Sequence, residues 1–146
     1  MSQKNNSKIA IITSNYHKEI CDSLLSACTV TLKENGVSEK NLKSVRVPGA
    51  LEIIAVAKKL AKQKKYDAII VFGVVLKGDT YHFEQVADEC ARGVMRVSYD
   101  YDIPVIFQVL SVYKLKDAEV RAEGKNNRGI EAAETALEII KTLKSI

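Results

Sequence analysis

The chain has 146 residues, of which 47% are hydrophobic and 27% charged, with a net charge of +4. This length fits one domain, and the composition excludes collagenous, coiled-coil and largely disordered chains. No apolar run approaches the ~20 residues of a membrane span. Residues 1–7 form a polar tail without the apolar segment of a signal peptide. We therefore predict a single domain over residues 1–146, located in the cytoplasm.

Strand and helix signals alternate along the chain. Short apolar or β-rich runs predict strands at 8–13, 44–47, 68–76 and 105–110. Apolar residues at helical spacing predict helices at 18–35, 50–62, 83–94, 114–122 and 129–143. The run 68–76 is apolar on both faces, as a central parallel strand should be. This order predicts a flavodoxin-like three-layer α/β/α sandwich around a four-stranded parallel sheet.

The cysteines and lysines restrict the class of protein. An odd count of three cysteines argues against a secreted disulfide scaffold. Cys28 and Cys90 fall on apolar helical stripes, which predicts small buried side chains. The lysines of 58–65 are typical of the solvated face and end of a helix rather than of a nucleic-acid surface. A small anionic substrate suits the mildly basic charge.

Ligands of such sheets bind at the carboxyl ends of the strands. The loop at 77–82 opens a helix after the central strand, and backbone N–H groups there favour an anion. Thr80 adds a hydroxyl, and His82 is suited to proton transfer near neutral pH. The alternative is that Thr80 only caps the helix and His82 is a surface histidine.

Other candidates are weaker individually. Glu52 suits sugar hydroxyls, although a first-turn carboxylate is also favoured by the helix dipole. Tyr16 suits stacking on a planar ring or ordinary packing, and Phe107 suits the core. Arg121 and Arg128 suit phosphate, or belong to a solvated loop.

Several motifs are missing from the sequence. There is no G-x-G-x-x-G after the first strand and no phosphate-binding P-loop motif. The cysteines and histidines lack zinc-site spacing, and no G-x-S-x-G elbow is present. We therefore predict no metal site.

The motifs PGALE (48–52), GVVLKGDTYHF (73–83) and NRG (127–129) occur in this order and spacing. Together they are highly specific, and residues 8–143 resemble the 6,7-dimethyl-8-ribityllumazine synthase family. The resemblance implies a cofactor-free transferase that catalyses the penultimate step of riboflavin biosynthesis. Such an enzyme condenses 5-amino-6-(D-ribitylamino)uracil with 3,4-dihydroxy-2-butanone 4-phosphate and releases phosphate and water.

The resemblance also implies roles for individual residues. His82 matches the proposed general acid/base. The butanone-phosphate site would comprise Asp79, Thr80 and Arg121. The ribitylaminouracil site would comprise Tyr16, Ala50, Leu51, Glu52, Val74, Val75, Leu76, Phe107 and Arg128. Phe107 would be given by a neighbouring subunit.

Some features depart from the family pattern. Gln108 replaces a common glycine, and Arg128 stands where lysine is frequent. The resemblance implies a homopentamer as the minimal unit, and the compact loop at 121–129 leaves a 60-subunit shell open. The alternatives are a non-catalytic flavin-binding or shell-forming protein on the same fold, and a generic phosphate-binding α/β enzyme. Neither nucleic acid nor membrane is an expected partner.

Overall fold

The computed structural model describes residues 3–146 and is built around a four-stranded, all-parallel sheet. The strands are β1 (Ile9–Ser14), β2 (Leu42–Val47), β3 (Ala68–Leu76) and β4 (Val105–Val112). Their order across the sheet is β2-β1-β3-β4. All four predicted strands are confirmed. The limits of β3 are those predicted, whereas β2 begins earlier and β4 ends later.

Helices cover both faces of the sheet. Within the described residues they are α1 (Lys18–Glu34), α2 (Ile53–Lys62), α3 (His82–Tyr101), α4 (Leu115–Val120) and α5 (Arg128–Lys144). α1, α4 and α5 pack on one face, and α2 and α3 pack on the other. The predicted flavodoxin-like three-layer sandwich is therefore confirmed. None of these helices is long and apolar enough to cross a membrane.

β3 supplies apolar side chains to both layers, because successive residues of a strand point to opposite faces. Ile70 and Phe72 pack towards α1 and α5. Ile69 and Val71 pack towards α2 and α3. All four side chains are fully buried. This explains why the run is continuously apolar instead of alternating.

α1 and α5 approach each other closely at the start of α5. A Cβ atom on Gly129 would lie 2.1 Å from the carbonyl oxygen of Leu24, so only glycine fits at this contact. Cys28 is buried in the same layer and Cys90 in the opposite layer, as predicted. Both are free thiols, as is the buried Cys21.

Two helix ends depart from a simple helical run. Gly36 has a φ of 92° and ends the turn after α1, as the sequence predicts for a glycine stop. α2 is preceded by a separate 3₁₀ turn, Ala50–Glu52, where a continuous helix from residue 50 was predicted. The backbone N–H of Glu52 donates to the carbonyl of Gly49 at 3.2 Å, which closes this tighter turn.

The predicted polar tail at 1–7 is only partly described, because residues 1 and 2 lie outside the described residues. Asn5 forms a parallel bridge with Val37, and Ser7 is buried. The tail therefore packs near the amino-terminal edge of the sheet from Asn5 onward.

Candidate active site

One cavity of about 560 Å³ lies at the carboxyl edge of the sheet, on the side of α2 and α3. Loops after β1 and β2, the end of β3 and the start of α3 contribute to it. Its lining comprises Tyr16, Pro48, Gly49, Ala50, Leu51, Glu52, Val74, Val75, Leu76, Gly78, Thr80, His82, Phe83 and Val86. This is the position where open parallel sheets bind their ligands.

Most residues predicted from the sequence to form the site meet in this cavity. They are Tyr16, Ala50, Leu51, Glu52, Val74, Val75, Leu76, Thr80 and His82. They come from three segments that are far apart in the sequence. They meet because β1, β2 and β3 are neighbours and run in the same direction.

Tyr16 provides an aromatic ring at the mouth of the cavity. Its side chain is exposed (relative exposure of the residue 64%) and is not part of either apolar core. Its backbone N–H donates to Ser14 Oγ at 3.1 Å. The ring of His17 meets it edge-on, with ring centroids 4.6 Å apart. An exposed ring of this kind is available for stacking on a planar ligand.

Glu52 adds a carboxylate to the lining of the same cavity. It is exposed and directly precedes α2, where the helix dipole favours negative charge. The turn that carries it is tied to α3, since Cys90 Sγ donates to the carbonyl oxygen of Ala50 at 3.4 Å. A carboxylate on a fixed turn can accept hydrogen bonds from a polyol.

Thr80 and His82 lie at the amino-terminal end of α3. Both are exposed, and α3 begins at His82. The backbone N–H of His82 donates to Thr80 Oγ1 at 3.3 Å. The threonine hydroxyl therefore closes the turn before α3, whose capping residue is Tyr81, while its own proton remains available to a ligand. The helix start also offers backbone N–H groups to an anion.

The predicted arginines lie elsewhere. A second cavity of about 550 Å³ includes Arg121 and Arg128. It belongs to α4, α5 and their connection, on the face of the sheet opposite α2 and α3. Arg121 Nη1 donates to the carbonyl oxygen of Asp117 at 2.8 Å, and Arg128 pairs with Glu131 at 2.9 Å.

Two further predicted residues do not line the first cavity. Asp79 is exposed in the loop between β3 and α3. Phe107 is half-buried on the edge strand β4 and packs against the core beneath α2 and α3. Conversely, Phe83 and Val86 line the cavity, although the sequence assigned them only to an amphipathic helix and not to the site. Both residues lie on the first turns of α3, directly after the loop predicted to bind a ligand, and this position could have placed them in the site.

The three-layer fold and its largely apolar cavity, to which an aromatic ring, a carboxylate and a histidine contribute, define a protein of the flavodoxin-like α/β class with a small-molecule site at the carboxyl edge of its sheet. Residues 6–144 match the family model described as 6,7-dimethyl-8-ribityllumazine synthase. The chain belongs to this family. It is therefore a lumazine-forming transferase of riboflavin biosynthesis.

The chain is also similar to individual proteins that are named after this family. Two proteins of Stenotrophomonas maltophilia, from strains K279a and R551-3, are each called 6,7-dimethyl-8-ribityllumazine synthase. Each is 42% identical to this chain over 140 residues, which cover 95% of this chain and 90% of the relative.

Proposed function

We propose that the cavity at the carboxyl edge joins 5-amino-6-(D-ribitylamino)uracil to 3,4-dihydroxy-2-butanone 4-phosphate, with release of phosphate and water. One observation carries this proposal. An exposed aromatic ring, a carboxylate and a histidine beside a helix amino terminus all line a single cavity. These groups match a flat pyrimidine, a polyol and a phosphate ester, respectively.

The ribitylaminouracil would bind along Tyr16 and the end of β3. The ring of Tyr16 stacks on the pyrimidine. Glu52 accepts hydrogen bonds from ribityl hydroxyls, and the adjoining Ala50 and Leu51 complete that wall. Backbone groups of 74–76 meet the heterocycle on the side away from β4, because β1 pairs with β3 only as far as Phe72.

The butanone phosphate would bind at the start of α3, with its phosphate on the backbone N–H groups of the helix start and on Thr80. Asp79 belongs to the same loop. His82 relays protons, because imine formation expels water and phosphate elimination removes a proton from carbon. Holding both reactants together supplies much of the rate.

Within the described part of a single chain, no arginine reaches the place where the phosphate of the butanone phosphate would bind. Arg121 and Arg128 lie on the far face of the sheet from His82. We therefore propose that a second copy supplies Arg121, Arg128 and Phe107, in a homopentamer that is the minimal unit and that a 60-subunit shell can contain. Head-to-tail contacts of this kind close into rings, and Arg121 then stabilises the charge of the departing phosphate.

A turnover assay tests the reaction itself. Purified protein is mixed with both substrates, and lumazine absorbance and phosphate release are followed together. We expect both to depend on the protein. A folded protein that binds riboflavin without producing lumazine would instead favour the non-catalytic alternative on this fold.

Mixed oligomers test the shared site. His82→Ala and Arg121→Ala are each expected to be impaired, the latter mainly through a raised KM for the butanone phosphate. The two variants are then mixed in equal amounts and allowed to assemble at random. If neighbours share a site, about a quarter of the sites combine an intact His82 with an intact Arg121 and regain activity. If Arg121 acts within its own chain, the mixture has only the mean activity of its two components. If Arg121 has no role, the mixture has about half of the parent's activity, because the Arg121→Ala subunits are fully active. The Arg121→Ala protein alone separates these cases, since it is fully active only if Arg121 has no role.

We also propose that the chain acts as one domain in the cytoplasm. Both apolar layers pack on the same sheet, and all three cysteines are free thiols. Thiols are kept reduced in that compartment.

A further inference from the structure

The position of Tyr16 depends on the loop that carries it. Its ring is exposed, so core packing does not fix it. Its neighbour His17 has a φ of 54°, a left-handed conformation that sets the turn into α1. Asn15 N–H donates to the carbonyl of Val47 at 2.7 Å, which ties one side of the loop to β2.

Besides Cys21 Sγ, which donates to the carbonyl oxygen of Tyr16 at 3.4 Å, Arg46 of β2 makes side-chain contacts to this loop. Its Nε donates to Asn15 Oδ1 at 2.8 Å, and one Nη donates to the carbonyl oxygen of Ser14 at 3.4 Å. These two residues directly precede Tyr16. The planar, forked guanidinium makes both contacts at once, which a lysine ammonium does poorly.

The same guanidinium reaches the helix on the other side of Tyr16. Arg46 Nη1 donates to Asp22 Oδ1 at 2.7 Å, and Lys18 Nζ donates to the other carboxylate oxygen at 2.7 Å. Hydrogen bonds from Lys18 and Arg46 hold the pKa of the Asp22 carboxyl below its usual value. Asp22 is therefore ionised at neutral pH, and Arg46 connects the loop before Tyr16 to the helix after it.

We propose that Arg46 is a positioning residue that holds the Tyr16 ring at the angle needed to stack on the ribitylaminouracil. This inference rests on the proposed role of Tyr16. Stability alone does not account for the network, since the Arg46 and Asp22 side chains are 30% and 43% exposed. Ion pairs this exposed add little to the free energy of folding. These contacts instead act by fixing the conformation of a loop whose exposed ring is not held by core packing.

The test measures the KM of each substrate separately in Arg46→Gln. We expect the KM for the ribitylaminouracil to rise ~3–10-fold, the size of one partly exposed charged hydrogen bond. The KM for the butanone phosphate stays unchanged. Arg46→Lys recovers only part of the loss, because lysine cannot make the forked contacts. Asn15→Ala, an exposed change that removes one contact, shifts the same KM in the same direction should Arg46→Gln fold poorly.

Lys33→Gln is the matched control. It removes one positive charge and one ion pair, with Glu39 at 3.3 Å, from the opposite end of α1. Both KM values should stay at the parent level. A similar rise in Lys33→Gln, or an equal rise of both KM values in Arg46→Gln, would overturn the positioning role.

A double-mutant cycle with Tyr16→Ala separates this inference from the proposed function. If Arg46 acts through Tyr16, Arg46→Gln adds nothing once the ring is absent. Additive effects contradict positioning while leaving the role of Tyr16 intact. If Tyr16→Ala alone does not raise the KM for the ribitylaminouracil, the proposed stacking fails instead, and the inference fails with it.

Discussion

Lys77 and Glu84 form a forked contact across the loop that carries Thr80 and His82. Lys77 Nζ donates to both carboxylate oxygens of Glu84, at 2.8 and 3.1 Å. The backbone N–H of Lys77 also donates to the carbonyl of Val112 at 2.9 Å. Lys77, at the start of the loop, is therefore tied both to α3 and to β4, which fixes the start of α3 relative to the sheet.

Glu84→Gln is expected to loosen this loop. Amide hydrogens of 78–82 should exchange ~2–5-fold faster and kcat should fall by a similar factor, because an ion pair whose side chains are 36% and 31% exposed contributes less than about 1 kcal/mol. The KM for the butanone phosphate should not rise, since the change also removes a negative charge near the phosphate. Glu89→Gln is the control on the same helix, where Glu89 pairs with Arg92 at 2.7 Å. Equal effects of both changes would contradict a role for the Lys77 contact.

His82→Ala is expected to slow turnover ~10–10³-fold, slightly below typical general acid/base effects of ~10²–10⁴-fold, because proximity still accelerates the reaction. His82 is exposed, so the free energy of unfolding should stay close to that of the parent. Lumazine formation in single turnovers and urea unfolding check both parts. Unchanged turnover would remove His82 from the mechanism.

The fold was predictable where burial dictates the residue type. β3 is buried on both faces, so its apolar run marks its limits. β2 was predicted too short because it is an edge strand, where the half-buried Leu42 and the exposed Lys43 at its start resemble a loop. β4 was cut short at Ser111, which is exposed although the residue still pairs with Val75 of β3.

The part of the site that follows from the order of the parallel strands was predictable. Parallel strands bring the loops with Tyr16, Glu52 and His82 to one edge, whichever helices cover the sheet. The sequence does not reveal that Arg121 lies on the opposite face, because periodicity does not say which side a connection takes. Arg46 was missed for a related reason. A charged residue in β2 indicates only that this strand lies at a solvent-exposed edge of the sheet. The contacts of Arg46 with the Tyr16 loop depend on the pairing of β1 with β2, which the sequence does not show.

Asn127 organises the loop that ends with the start of α5, and its loss should be costly. It is 6% exposed, its Oδ1 accepts from Gly129 N–H at 2.7 Å, and its Nδ2 donates to the carbonyl of Ala122 at 2.8 Å. Asn127→Ala removes the helix cap and leaves the buried N–H of Gly129 without its acceptor, whereas the Ala122 carbonyl keeps the hydroxyl of Ser23 as a donor. We therefore expect a loss of about 1–3 kcal/mol. The adjacent, exposed Asn126→Ala should change stability by less than ~0.5 kcal/mol. Similar urea midpoints for both variants would contradict this account.

Burial of Cys28 makes the free energy of unfolding decrease at alkaline pH. Burial raises the pKa of its thiol from 9.0 to about 12. The unfolded chain therefore releases this proton at lower pH than the folded chain, so the stabilisation is complete below about pH 9 and is lost as the pH rises towards about 12. Between about pH 8 and pH 10 the loss from one thiol is about 1 kcal/mol. We expect Cys28→Ala to show a decline in the free energy of unfolding that is smaller than the parent's by this amount. Ser26→Ala, an exposed change on the same helix, should keep the parent's decline. Equal declines in all three proteins would mean that the thiol does not titrate on unfolding.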